Sequence, residues 1–248
     1  MWFVQPRLFP ESVRAGFTGA TKPPGFGAQR FSFELQGPTE PEDSRMSRRW
    51  LLDHCELPET AWRDVEQVHG STCLEQDGST AWKHEKADAL WTRSQGLLLT
   101  IRTADCVPVL VTSKDEPLAV AIHAGWRGTH SQIVSKSLKE ILESSGVRAS
   151  SLIAAIGPAI HSRAFEVDAD VADPFRAVYG DEIVCPTPGR ARRWNVDLIE
   201  ANRRELLEVG LLAEHIEIIS TCTFEDHNFW SHRRQRSEAG RQVAWITL

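Results

Sequence analysis

The chain has 248 residues, 41% of them hydrophobic, and a formal net charge of −6. That length suits one large domain, or at most two small ones, with a core buried without disulfides. The acidic balance excludes a general nucleic-acid surface. No apolar run approaches the roughly 20 residues needed to span a bilayer, so no membrane partner is expected.

The N-terminus, MWFVQPRLFPESVRAGF, lacks the basic, apolar and small segments of a secretion signal. A cytoplasmic protein is therefore expected. Residues 18–45 are rich in Gly, Pro and polar side chains and read as loop, with a short strand at RFSFEL. The helical spacing of MSRRWLLDHC predicts a helix over 46–55, and WRDVEQVHG (62–70) reads as a strand ending at His69 and Gly70. GLLLTIRTADCVPVLVTS (96–113) holds two apolar runs broken by RTADC, and PLAVA leads into the turn IHAGWRG. THSQIVSKSLKEILESSG predicts an amphipathic helix over 129–146, with Thr129 as N-cap and Gly146 as stop.

SLIAAIGP (151–158) reads as a strand, and 168–180 as a helix bent or begun at Pro174. NVDLIEANRRELLEVG predicts a helix over 195–210, with Asp197 near its start. Residues 214–220 and 241–248 read as strands. Strands and helices mix without strict alternation. The fold class is therefore α+β, mixed sheets flanked by helices, in one domain over 1–248 with a loop-rich part at about 1–60.

The five cysteines include no C-x-x-C and read as free thiols. His69, Cys106 and His123 each end or interrupt an apolar run, beside turns where side chains converge without being packed away. Two imidazoles and a thiolate are donors that zinc takes, with a fourth position left open in catalytic sites. Two other readings fit the same residues. Cys106 could be a nucleophile with a histidine base, or all three could be ordinary half-buried side chains.

EQVHG, TADCVPVL, AIHAGWRG, AAIGPAI, DLIEANRRELLEVG and TCTF…FWSHRR…GR stand in that order over roughly 60–248. This series resembles the laccase-domain, or multicopper polyphenol oxidoreductase-like, family of purine nucleoside phosphorylases, to which the bacterial peptidoglycan editing factor belongs. The resemblance implies an α/β sandwich similar to toxin deamidases. It implies zinc held by His69, Cys106 and His123, which would also be the catalytic residues. It implies phosphorolysis of adenosine, inosine, guanosine and methylthioadenosine, adenosine deamination, and a part in peptidoglycan precursor fidelity.

Phosphorolysis needs phosphate donors. Arg48 matches the family position for this role, and Arg127 in the glycine turn is a second candidate. Trp126 could stack on a purine or plug the core behind the site. Asp105 could orient a ligand or cap its turn, Arg233 suits a salt bridge, and Cys222 could line the pocket. The stretch GFTGATKPPGFGAQRF keeps Thr18 but lacks the family's arginine and paired glycines. A multinuclear copper cluster is discounted, since none of the nine histidines forms an H-x-H pair. Copper could still occupy the Cys-His-His site in vitro.

Overall fold

The two apolar runs of 96–113 become strands in different sheets, and the ADC between them is where the chain crosses over. The computed structural model describes residues 2–27, 29–34, 40–78 and 84–248. In chain order, β1 (Phe3–Val4) and β2 (Arg14–Thr18) precede helix α1 (Glu42–His54). Then come β3 (Trp62–Arg63), β4 (Cys73–Glu75), β5 (Ala89–Thr92), β6 (Leu98–Thr103), β7 (Val107–Ser113) and β8 (Ala119–Ala124). Helices α2 (Trp126–His130) and α3 (Ile133–Ser145) lead to β9 (Leu152–Ile156), β10 (Glu166–Val167) and α4 (Ala169–Tyr179). The remainder is β11 (Val184–Pro186), β12 (Trp194–Val196), α5 (Leu198–Val209), β13 (Ile216–Ile218), α6 (His232–Gln235) and β14 (Gln242–Thr247).

One sheet runs β1-β2-β14-β6-β3 and a second β13-β9-β7-β8-β5-β4, while β10-β12-β11 form a small third. Both large sheets are mixed. In the second, β13 lies parallel to β9 and β4 to β5, and the other pairs are antiparallel. Alternation sorts their side chains into layers. Leu110, Ala119, Ala121 and Ala155 face Phe17, Leu99, Ile101 and Ile246 of the first sheet. Val107, Val109, Val120 and Ile122 face the other way, onto Ile133 and Leu138 of α3, Phe175 of α4 and Leu206 of α5. The far side of the first sheet packs Leu98 and Trp245 on Phe31, Phe33 and Leu51. Strand β7 is buried along its whole length because both of its faces are covered. By the same period of two, His123 lies on the inter-sheet face with Ala119 and Ala121, at the end of its strand.

Several local expectations are corrected. RFSFEL forms no strand over its described residues: Phe31 and Phe33 are buried aromatic anchors, and only the Phe33 amide bonds across, to the Arg241 carbonyl at 2.9 Å. Leu35 lies outside the described residues. WRDVEQVHG forms a strand only at Trp62–Arg63, on β6, and then turns away, with a single further bridge from Glu66 to Lys86. The helix expected over 129–146 is two helices, because Gln132 takes a left-handed φ of 57°. Thr129 therefore sits inside α2 and caps nothing; its hydroxyl accepts from Asn202 Nδ2 at 3.1 Å. Gly146 does end α3, at φ 71°. Helix α4 begins at Ala169, before Pro174. Asp197 caps α5, accepting the Glu200 amide at 2.9 Å, a bond worth about 1 kcal/mol.

Behind α2 lies a buried acid. Tyr179 Oη is 2.5 Å from the Thr129 carbonyl and 2.5 Å from Glu205 Oε1, while Glu205 Oε2 accepts the Ser135 amide at 2.9 Å. One phenolic proton cannot serve two acceptors, so a protonated Glu205 fits this geometry. Burial pushes its carboxyl up, Tyr179 and the Ser135 and Val134 amides pull it back, and the result is about 7. The folded value is thus raised above the unfolded one. Stability from this group is complete below about pH 4.5 and is lost as pH rises through about 7, a change of about 3 kcal/mol. Glu205→Gln is expected to flatten that part of the profile. Urea midpoints at pH 5, 6, 7 and 8 check this, and parallel slopes for both proteins would refute it.

Candidate metal centre

His69, Cys106 and His123 do converge. Their ligand atoms all lie within 4.8 Å of one another, with Cys106 Sγ 4.0 Å from His69 Nε2. The two rings meet edge to face at 4.9 Å between centroids. Cys106 and His123 are neighbours by register, since β7 and β8 pair Val107 with Ala124 and Pro108 with His123. His69 comes from a loop after β3 and takes a left-handed φ of 59°.

Asp88, which the sequence reading missed, holds that loop. Its fully buried carboxylate accepts the amides of Val68 (3.2 Å), His69 (2.9 Å) and Gly70 (2.7 Å). It also holds His123 Nδ1 at 2.8 Å, and the Asp88 carbonyl accepts the His123 amide at 2.7 Å. His123 Nε2 is thereby left as the ligand atom, the carboxylate–histidine arrangement common at metal sites. Burial pushes the Asp88 carboxyl up, but the His123 ring and the Gly70 and His69 amides outweigh it and bring it below its usual value.

Burial likewise raises the Cys106 thiol, yet His123 and then His69 outweigh it and bring it to about 6. Burial lowers His123, and Cys106 and Asp88 lift it to about 9. A thiolate beside two rings is a donor set for one zinc or copper ion. Gly125 keeps the space between them open: a Cβ there would lie 2.8 Å from His69 Cδ2 and 3.1 Å from Cys106 Sγ.

Asp105 braces the crossover. At φ 88° it accepts Thr223 Oγ1 at 2.7 Å and the Arg233 amide at 2.6 Å. The Arg233 guanidinium donates to the Ala164 and Glu166 carbonyls, which replaces the expected salt bridge. Trp126 packs against the core behind the site. Cys222 is buried and accepts the His161 amide.

The three residues open on a cavity of about 400 Å³, within the usual range for small-molecule sites. Its walls include Arg102, Arg241, His232, Glu34 and Glu66. Arg48 and Arg127 do not line it. Arg48 is buried on Glu40 (3.2 Å) and Glu59 (3.4 Å), and Arg127 lies 4.2 Å over the Trp126 ring. The expected phosphate contact of Arg48 is opposed by the two carboxylates that already hold it. Arg127, itself exposed, lies over the partly buried Trp126 ring rather than on the cavity wall.

A mixed α/β sandwich with a His-Cys-His group at a cavity mouth defines a protein fit for single-metal chemistry on a small ligand. Among the described residues, this is the only such group close enough to hold a metal ion, so a multinuclear copper cluster does not fit. The chain belongs to the multi-copper polyphenol oxidoreductase laccase family, whose model matches residues 19–248. A purine nucleoside phosphorylase of Pseudomonas aeruginosa is 33% identical over 255 residues, covering 100% of this chain and 98% of that protein. An adenosine deaminase from an unknown prokaryotic organism is 34% identical over 65% of this chain and 60% of its own. The crystal structure of YlmD from Geobacillus stearothermophilus superposes with a TM-score of 0.88 at 29% identity, over 100% of this chain and 96% of that one. No helix among the described residues is long and apolar enough to cross a membrane.

Proposed function

We propose that the chain is a zinc-dependent purine nucleoside phosphorylase that also deaminates adenosine, taking adenosine, inosine, guanosine and methylthioadenosine. The observation that carries this reading is the His69–Cys106–His123 group at the mouth of a cavity of nucleoside size. It is supported by similarity to a purine nucleoside phosphorylase and an adenosine deaminase. These three residues would hold zinc, which when bound supplies a Lewis acid to the reacting purine. Copper would use the same three donors in vitro.

In phosphorolysis a phosphate oxygen bonds to ribose C1′ as the C1′–N9 bond breaks. The electron pair leaves with the purine, which takes a proton, and ribose-1-phosphate remains. In deamination the oxygen of water adds at C6, ammonia leaves and inosine remains. The chain's own part is to hold the site still and to bind the anion. Asp88 fixes the His123 ring and the His69 loop together, which places the donors before substrate arrives.

Product analysis on adenosine, with and without phosphate, tests this on metal-replete protein and on Cys106→Ala. Adenine and ribose-1-phosphate are expected only with phosphate, and inosine without it. Both are expected to fall about 10³-fold in the variant, since losing about 4 kcal/mol of charge stabilisation has that effect. Activity that survives chelation but not thiol alkylation would instead make Cys106 a nucleophile.

A further inference from the structure

Phosphorolysis requires an anion subsite, and neither Arg48 nor Arg127 reaches the cavity. The cavity does hold two other guanidiniums. Arg102 is committed: Nη1 donates to Asp64 Oδ2 at 2.7 Å and Nη2 to the Val65 carbonyl at 2.6 Å. Arg241 is anchored but not used up. Its amide donates to Ser32 Oγ at 2.9 Å, and its carbonyl accepts the Phe33 amide at 2.9 Å. Its Nη1 donates to the Ala239 and Gly240 carbonyls, both at 2.9 Å. Nε and Nη2 meet no acceptor among the described residues.

A guanidinium aimed by its own backbone contacts loses little freedom when it binds, and its remaining N–H groups match an oxyanion. Arg102 lines the same cavity, its charge held by Asp64. Asp64 already balances Arg102, so the unspent N–H groups of Arg241 are what this wall offers to a negative ligand. Glu34 and Glu66, on the same walls, accept hydrogen bonds only, which suits the ribose hydroxyls.

We propose that Arg241, with Arg102 behind it, binds the phosphate consumed at this site. This rests on the phosphorylase reading above. The test is steady-state phosphorolysis of inosine against phosphate concentration, for wild type, Arg241→Ala and Arg241→Lys. Adenosine deamination without phosphate is the internal reference. In Arg241→Ala the KM for phosphate rises about 10- to 100-fold, as expected for a lost charge-assisted bond. The ratio of phosphorolysis to deamination falls at least about tenfold, and Arg241→Lys recovers part of it.

An unchanged phosphate KM would overturn the assignment. So would an equal fall of both reactions, which would make Arg241 structural. A wild type that deaminates or binds nucleoside without phosphorolysis would instead sink the phosphorylase reading. The subsite is then decided by inorganic phosphate alone: it raises the Tm of wild type and not that of Arg241→Ala if the assignment holds, and treats both alike if it fails.

Discussion

Asp88→Asn is expected to weaken metal binding by about 10- to 100-fold and to cost about 3 kcal/mol of stability. The carboxylate serves four donors at once: the Val68, His69 and Gly70 amides and the His123 ring. An asparagine keeps one acceptor oxygen and turns an N–H₂ group toward donors. That leaves amides of the His69 loop without their buried acceptor, at a part-buried position where water replaces it only in part. It also removes the charge that fixes the tautomer of His123. Chelator competition and urea unfolding read the two effects separately. Metal affinity within threefold of wild type would show that Asp88 does not organise the centre.

Gly125→Ala is expected to retain the fold and to lose about 100-fold in activity and metal affinity. The backbone allows alanine, since Gly125 has φ −68° and ψ 168°. The obstacle is contact. The added carbon would stand 2.8 Å from His69 Cδ2 and 3.1 Å from Cys106 Sγ. His69 is the exposed member and moves first. Displacing a reacting group by about 1 Å costs on the order of 10²-fold. A Tm close to wild type together with lost metal would bear this out. A variant with full metal and full activity would mean that the three donors tolerate a wider site.

His69, Cys106 and His123 were legible as a candidate group because they stand at the ends of apolar runs beside glycine turns. Their carboxylate clamp was not. Asp88 reads as an acid before the short strand ALWT, and nothing local tells that three amides some twenty positions earlier fold over it. The same limit explains His69, which reads as a strand end but sits on a turn whose shape comes from Asp88. The mixed architecture and the main strands of 98–124 followed from burial on both faces. RFSFEL misled because its aromatics alternate for packing on Trp62 and Leu51 rather than for pairing. Helix 129–146 broke at the left-handed Gln132, next to a turn whose Thr129 is held by Asn202 of α5, a contact distant in sequence. The carboxylates that hold Arg48 away from the cavity were not legible, because Glu40 and Glu59 meet it only in three dimensions.

The register of β7 on β8 also has a kinetic consequence. Cys106 and His123 come from one hairpin, whose strands are joined by residues 114–118, and such units close within about 1–10 μs. His69 comes from outside that unit, and its backbone is held by Asp88, which precedes the strand that adds to the free edge of β8. An ion added during refolding would therefore be expected to meet Cys106 and His123 before His69. Three-donor binding would then report the joining of β5 and the His69 loop to the sheet, a clock for assembly carried by the site itself.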